Sequence, residues 1–192
     1  MSELSDQQGA ILVRLARETL ISLLGETHED TFDQKVLTDP IFQEKRGIFV
    51  TLKKGGQLRG CIGSLTACQT LTEGIRNQAE NAAFYDTRFN RVQRHELADI
   101  NLEISILSEP QPLFFSDPED LICKLRPHVD GVILTCATCH STFLPQVWEQ
   151  LPDVEDFLAH LSMKAGLPRE GWKNDGVEIA TYQVQHFDEQ TS

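Results

Sequence analysis

Positive charge is scarce in this 192-residue chain: 17 lysines and arginines stand against 29 aspartates and glutamates, a formal net charge of -12. Non-specific nucleic-acid binders present a basic surface, so that class is excluded, although a local basic patch is not. Long apolar runs are missing too. The apolar residues from Ile11 to Leu24 are broken by Arg14, Arg17 and Glu18, so this stretch resembles neither a signal peptide nor a membrane span. The expectation is a cytoplasmic protein that does not enter a membrane. There is no phosphate-binding glycine loop, because Gly55-Gly56 is not followed by a helical pattern. Neither a Gly-x-Ser-x-Gly elbow nor a His-Glu-x-x-His helix occurs. Five cysteines, an odd number in a chain expected inside the cell, read as reduced thiols and not as a disulfide framework.

What is present is ordinary globular composition, 40% hydrophobic and 24% charged, in a chain long enough to bury a core without disulfide or metal support. Residues 5–25 carry Ile11, Leu12, Leu15, Leu20, Leu23 and Leu24 at helical spacing, with Ser5 or Asp6 as N-cap and Gly25 as terminator. Residues 26–46 read as loop, turning at Asp39-Pro40. A hairpin follows: Gly47 to Leu52, a turn through Lys53-Lys54-Gly55-Gly56, and Leu58 to Ser64. Leu71 to Phe84 forms a second helix, and Gln93 to Leu97 a short helix or loop. Ile100 to Leu107 alternates, with Ile100, Leu102, Ile104 and Ile106 on the core face, and Pro110 and Pro112 close that unit.

The plan then repeats 84 residues later. Gly131 to Cys136 and His140 to Leu144 make a hairpin, Gln146 to Gln150 adds helical turns, Val154 to Ala165 is a helix, and Ile179 to Phe187 alternates as a strand. Hairpin, helices and strand, twice over, predict an α+β fold of mainly antiparallel sheet with flanking helices. The expected subdomains are 26–110 and 111–189, from an internal duplication, within a single domain.

The chemistry concentrates in Leu58-Arg59-Gly60-Cys61-Ile62-Gly63-Ser64. Strand alternation places Arg59 and Cys61 on one face, Leu58 and Ile62 on the other. Gly60 and Gly63 leave room for a close backbone or a ligand. A cation beside a thiol favours the thiolate, a route to a reactive cysteine; the simpler reading is a small buried hydrophobe beside an edge-strand charge. Asp86 and Arg88 follow the second helix and brace one another or face a ligand, and Glu103 points into the same groove or into water. Cys136-Ala137-Thr138-Cys139-His140 has the spacing of a c-type haem attachment, which requires export that this chain does not signal. A zinc site would need Cys123 and His128 as a poorly spaced second pair. Two thiols flanking a hairpin turn is the reading adopted, with no metal and no cofactor.

Leu58 to Gly63, then Ala82-Ala83-Phe84-Tyr85-Asp86-Thr87-Arg88-Phe89, and in the second half Phe143 to Gln150, Phe157-Leu158 and Lys164 to Leu167, resemble the signature of the AMME chromosomal region domain family, also called AmmeMemoRadiSam system protein A. The likeness runs from about Leu12 to about Glu189. It implies a two-subdomain α+β architecture and a functional cleft marked by Arg59, Cys61, Asp86, Arg88 and Glu103. It brings no established activity. It also implies a pathway shared with a Memo-like protein and a radical S-adenosylmethionine enzyme. The chain departs from the family pattern at Thr87, where proline is common, and in its Cys136 to His140 turn.

These readings give two functional expectations. One is an enzyme or enzyme component binding a small anionic or nucleotide-like molecule, with Arg59, Gly60, Gly63 and Arg88 on the ligand, Cys61 as nucleophile, and Asp86 or Glu103 moving protons. The other is a non-catalytic module that docks a partner. The geometric expectation is that at least three of Arg59, Cys61, Asp86, Arg88 and Glu103 border one concave surface, with Arg59 paired to Asp86 or Glu103.

Overall fold

Ser5 opens the first helix, α1 (Asp6–Leu23), through a capping box. Its hydroxyl accepts from the Gln8 amide at 3.3 Å, and the Gln8 side chain accepts from the Ser5 amide at 2.9 Å. The computed structural model describes residues 3–25 and 33–189. Of the segment read as loop, residues 26–32 lie outside the described residues, while 34–38 and 40–43 are short 3-10 turns capped by Asp33 and Asp39.

Strands β1 (Gly47–Lys54) and β2 (Gln57–Ser64) meet at Gly55 and Gly56, with φ of 55° and 78°. That is the left-handed geometry a two-residue hairpin turn requires and glycine adopts without strain. Helix α2 (Leu71–Phe84) follows, capped by Thr70 and Glu73, and then β3 (Ile100–Leu107), antiparallel to β1. The sheet order is β2-β1-β3-β8, where β8 is Val184–Asp188. The period of two along the strands buries Ile48, Val50, Leu52, Leu102, Ile104 and Ile106. They form one core with Leu12, Leu15 and Leu20 of α1 and Ile75 and Ala79 of α2.

The second sheet has the order β4-β7-β5-β6, built from β4 (Gln111–Leu113), β5 (Gly131–Cys136), β6 (Cys139–Phe143) and β7 (Val177–Tyr182). Its core gathers Phe157, Leu158 and Leu161 of the helix Val154–Lys164 with Val132, Leu134, Trp148, Trp172 and Ile179. Trp148 stacks on Phe157 with ring centroids 3.6 Å apart, and its indole nitrogen donates to the Asp130 carbonyl at 2.7 Å.

Two sequence expectations change here, and one further element appears. Ile179 to Phe187 is not one strand: it divides at Gln183, which exchanges two 2.9 Å hydrogen bonds with Ser108. Pro112 does not end a unit but lies in β4, an outer strand, where a missing amide proton is tolerated. The acidic cluster Asp117 to Asp120 begins a short helix, α3 (Pro118–Lys124). Asp117 caps it, and Glu119 and Asp120 lie in the first turn, where the helix dipole favours anions.

These shifts expose the topology. β4, next after β3 in the chain, pairs in the second sheet, and β8, next after β7, pairs in the first. β4 already falls in the expected second half, so only β8 crosses, from the second half of the chain into the first sheet. The compact units are 1–107 with 185–192, and 108–184, so β8 joins the first unit instead of the second.

Candidate functional site

All seven residues expected at the site lie in the first unit. Leu52 pairs with Gly60 but Lys53 pairs with Leu58, so Arg59 is the extra residue of a β-bulge. A bulge resets the two-residue alternation and re-aims a side chain. Leu58, expected on the same face as Ile62, is accordingly 44% exposed, while Ile62 packs on the core. Arg59 turns toward the 3-10 segment Arg94–Asp99 that precedes β3. Its Nε and Nη2 donate to the two oxygens of Glu96 at 3.0 and 2.9 Å, and its Nη1 donates to the Asn90 carbonyl at 2.9 Å. The expected partner, Asp86 or Glu103, is thus corrected to Glu96. Nothing in the residue spacing marks Glu96, because the bulge that directs Arg59 to it is invisible in the sequence.

Glu96 also accepts from Lys54 Nζ at 3.2 Å and from the Gln93 amide at 3.0 Å. The Arg59 guanidinium, aided by these donors and opposed by burial, holds the Glu96 carboxyl down at about 2.

Cys61 lies opposite Thr51 of β1, whose hydroxyl donates to its Sγ at 3.3 Å. β2 is an outer strand, and the Cys61 backbone groups are satisfied by side chains instead of a strand. The Cys61 amide donates to Asp86 Oδ2 at 2.8 Å, and Arg88 Nη2 donates to the Cys61 carbonyl at 3.0 Å. Arg88 also grips Asp86 in a fork, Nε to Oδ1 at 2.9 Å and Nη2 to Oδ2 at 2.7 Å. Asp86 is 3% exposed and Arg88 55%. The Arg88 bonds, outweighing burial, push the Asp86 carboxyl far below the usual range; Asp86 in turn raises the Arg88 guanidinium. Both Asp86 oxygens are engaged, Oδ1 by the Arg88 amide and Nε, Oδ2 by the Cys61 amide and Arg88 Nη2.

The two glycines serve packing. A Cβ on Gly60 would lie 2.2 Å from the Ala82 carbonyl of α2, and one on Gly63 would lie 2.3 Å from the Phe49 ring. The close approach expected at both positions is made by protein atoms.

Thr51 is paired with Cys61 on one side and Glu103 on the other, so these three side chains form one cross-strand row. Glu103 binds Lys53 Nζ at 2.5 Å and lies 3.8 Å from His186 Nδ1, which is itself 3.0 Å from Ser105 Oγ. Ser105 and Glu103 approach the same ring nitrogen and Ser105 is buried, so this is not a serine–histidine–acid relay. Burial pushes His186 down, with Glu103 opposing and Lys53 assisting. Cys61, Asp86 and Arg88 are thus in direct contact, Glu103 stands in the Cys61 row, and Arg59 is bonded elsewhere. Thr51, Lys53, Glu96 and His186 are the participants that pattern reading missed. Among the described residues no cluster of three or more His, Cys, Asp or Glu is arranged to hold a metal, so Cys123 and His128 do not complete a site with Cys136 and Cys139.

Residues 13–187, which include all of these groups, match the AMMECR1 family. The chain belongs to the AMMECR1 family. Archaeal AMMECR1 relatives agree over almost their full length. A protein of Methanosarcina mazei is 38% identical, covering 97% of this chain and 94% of its own. A protein of Methanothermobacter thermautotrophicus is 36% identical, with coverages of 97% and 96%. The crystal structure of uncharacterized protein PH0010 from Pyrococcus horikoshii superposes with a TM-score of 0.80 at 32% identity, covering 97% of this chain and 94% of that one. The α+β fold with two antiparallel sheets is consistent with this relative of known structure. No helix among the described residues is long and apolar enough to cross a membrane.

Proposed function

We propose that the first unit is a cytoplasmic enzyme or enzyme component that binds a small anionic or nucleotide-like molecule beside Cys61. The observation that carries this is the clamp on Cys61. Its amide and carbonyl are both fixed by Asp86 and Arg88, while its sulfur accepts from the Thr51 hydroxyl. Fixing a backbone so tightly around a half-buried thiol positions that thiol for chemistry. In this reading Cys61 is the nucleophile or thiol contact and the half-exposed Arg88 meets the anion. Glu103, in the same row and already shared with Lys53, takes up protons. Asp86 and Arg59 are positioning residues, each committed within the protein. The reaction belongs, on family resemblance, to a pathway with a Memo-like protein and a radical S-adenosylmethionine enzyme.

Iodoacetamide tests it. The expected result is that Cys61 alkylates faster at neutral pH than the exposed Cys68 and Cys123, and that Arg88→Gln removes the advantage. Alkylation of Cys61 slower than both would remove the nucleophile. A small molecule retained by the purified protein and lost in Arg88→Gln, identified by mass spectrometry, would name the ligand.

A second reading is a non-catalytic partner module. It is favoured by the fact that Lys53, Lys54, Arg59 and Arg88 are each bonded to a carboxylate of the same unit, a closed ionic frame. Under that reading Cys61→Ala leaves complex formation with the radical enzyme or Memo-like protein, and the output of their pathway, unchanged.

A further inference from the structure

The second unit holds a thiol pair that the site above does not use. Cys136 ends β5 and Cys139 begins β6, and the two are direct Cα partners in the antiparallel ladder. Only Ala137 and Thr138 separate them, with Ala137 turned into the left-handed region at φ 52°. Partners in such a ladder lie about 4.5–5.5 Å apart at Cα and project to one face. Disulfide-bonded cysteines span about 4.4–6.8 Å, so the ladder already holds this pair within bonding range. Both thiols are free and partly exposed, and β6 is the outer strand of its sheet. Cys136 also packs on the second core, so the pair sits on a fixed part of the hairpin and not on a loose tip. Cys68 follows β2 and Cys123 lies on α3; neither falls in a strand opposite another cysteine.

We propose that Cys136 and Cys139 are a dithiol–disulfide couple, a modification site oxidised by a small disulfide of the glutathione class. One thiolate attacks a sulfur of the small disulfide, forming a mixed disulfide and releasing the first small thiolate. The other protein thiolate attacks the protein sulfur of that bond and expels the second. Two electrons pass from the protein sulfurs to the small disulfide, and the two thiol protons end on the two released thiols. Bonding across so short a loop on a fixed ladder makes the product easily reduced again, the behaviour of a labile disulfide and not of a structural one. The couple is confined to the second unit and is independent of the reading of Cys61.

The test uses the full, folded chain incubated with oxidised glutathione, quenched with acid and mapped by peptide mass spectrometry. The expected product is a Cys136–Cys139 cross-link lighter by two hydrogens, formed while Cys68 and Cys123 take up glutathionyl groups singly. Stable glutathionyl adducts on Cys136 or Cys139, or both thiols still free when Cys68 is fully modified, would overturn it. Phenylarsine oxide, which bridges paired thiols, gives a readout without oxidant. It is expected to bind the reduced protein one-to-one and to be removed by dithiothreitol but not by mercaptoethanol. Cys136→Ser and Cys139→Ser should each abolish that binding. Retention by either folded variant would place the arsenical elsewhere and sink the proposal.

Discussion

The two units carry the same device and use it differently. Each sheet places the first strand of a hairpin between its partner and the third strand of its half, and a fourth strand, β8 in one and β4 in the other, completes the far edge. Each also buries one aspartate under a half-exposed arginine: Asp86 and Arg88 at 3% and 55% exposure, Asp130 and Arg126 at 3% and 56%. In the second unit the Asp130 carboxylate accepts, among the described residues, from the amide, Nε and Nη2 of Arg126, and so closes its own loop. In the first unit Asp86 accepts from the Arg88 amide and guanidinium and also from the Cys61 amide, and Arg88 reaches the Cys61 carbonyl. The hairpins differ in step with this. β5 and β6 keep a constant register, whereas β2 bulges at Arg59, next to the clamped thiol. One ion pair stabilises a loop; the other fixes the backbone of a cysteine.

Removing the two aspartates is the strongest way to break this comparison. Asp86→Ala and Asp130→Ala should each cost about 3 kcal/mol, the scale for leaving buried donors and a charge without a partner. Urea denaturation measures that. Only Asp86→Ala should also change the Cys61 alkylation rate, and an equal change in Asp130→Ala would show that the clamp is not local.

The Glu96 carboxyl sharpens the comparison through pH. Its folded value of about 2 lies below the ordinary 4.5, so its contribution is complete above pH 4.5 and is lost as pH falls toward 2. A shift of that size corresponds to about 3 kcal/mol. The wild-type urea midpoint should therefore fall across this window more steeply than that of Glu96→Gln, and parallel curves would deny the Arg59 pairing its weight.

Packing gives a smaller effect. Gly60→Ala drives a methyl into the Ala82 carbonyl and should cost about 2 kcal/mol, lowering the thermal midpoint. The smallest effect has the opposite sign. Ala137→Gly relieves a left-handed alanine in the second hairpin and should raise stability by about 1 kcal/mol in urea titration.

Much of the fold was legible in local pattern. Leu71–Phe84 and Ile100–Leu107 fall where their spacing puts them, since helical and strand periods are imposed by the backbone itself. The hairpin at Gly55-Gly56 was likewise readable, because few residues accept those angles. Cys61, Asp86 and Arg88 were singled out together by the family resemblance, and the structure brings them into contact.

Partner choice was not legible. A constant two-residue turn would have set Thr51 opposite Gly60; the bulge moved it opposite Cys61 and sent Arg59 to Glu96. The break at Gln183 was hidden for a similar reason, since alternation continues through it while the chain changes sheets. The sequence by itself determined most of the elements and the residues of both cores, because helical and strand periods depend on neighbours within a few positions. Tertiary structure alone decided which carboxylate neutralises which arginine and which strand ends in which sheet. Those choices depend on register and on groups 25 to 80 positions apart, for example Cys61 with Asp86 and Arg17 with the Leu97 carbonyl, and no local pattern records them.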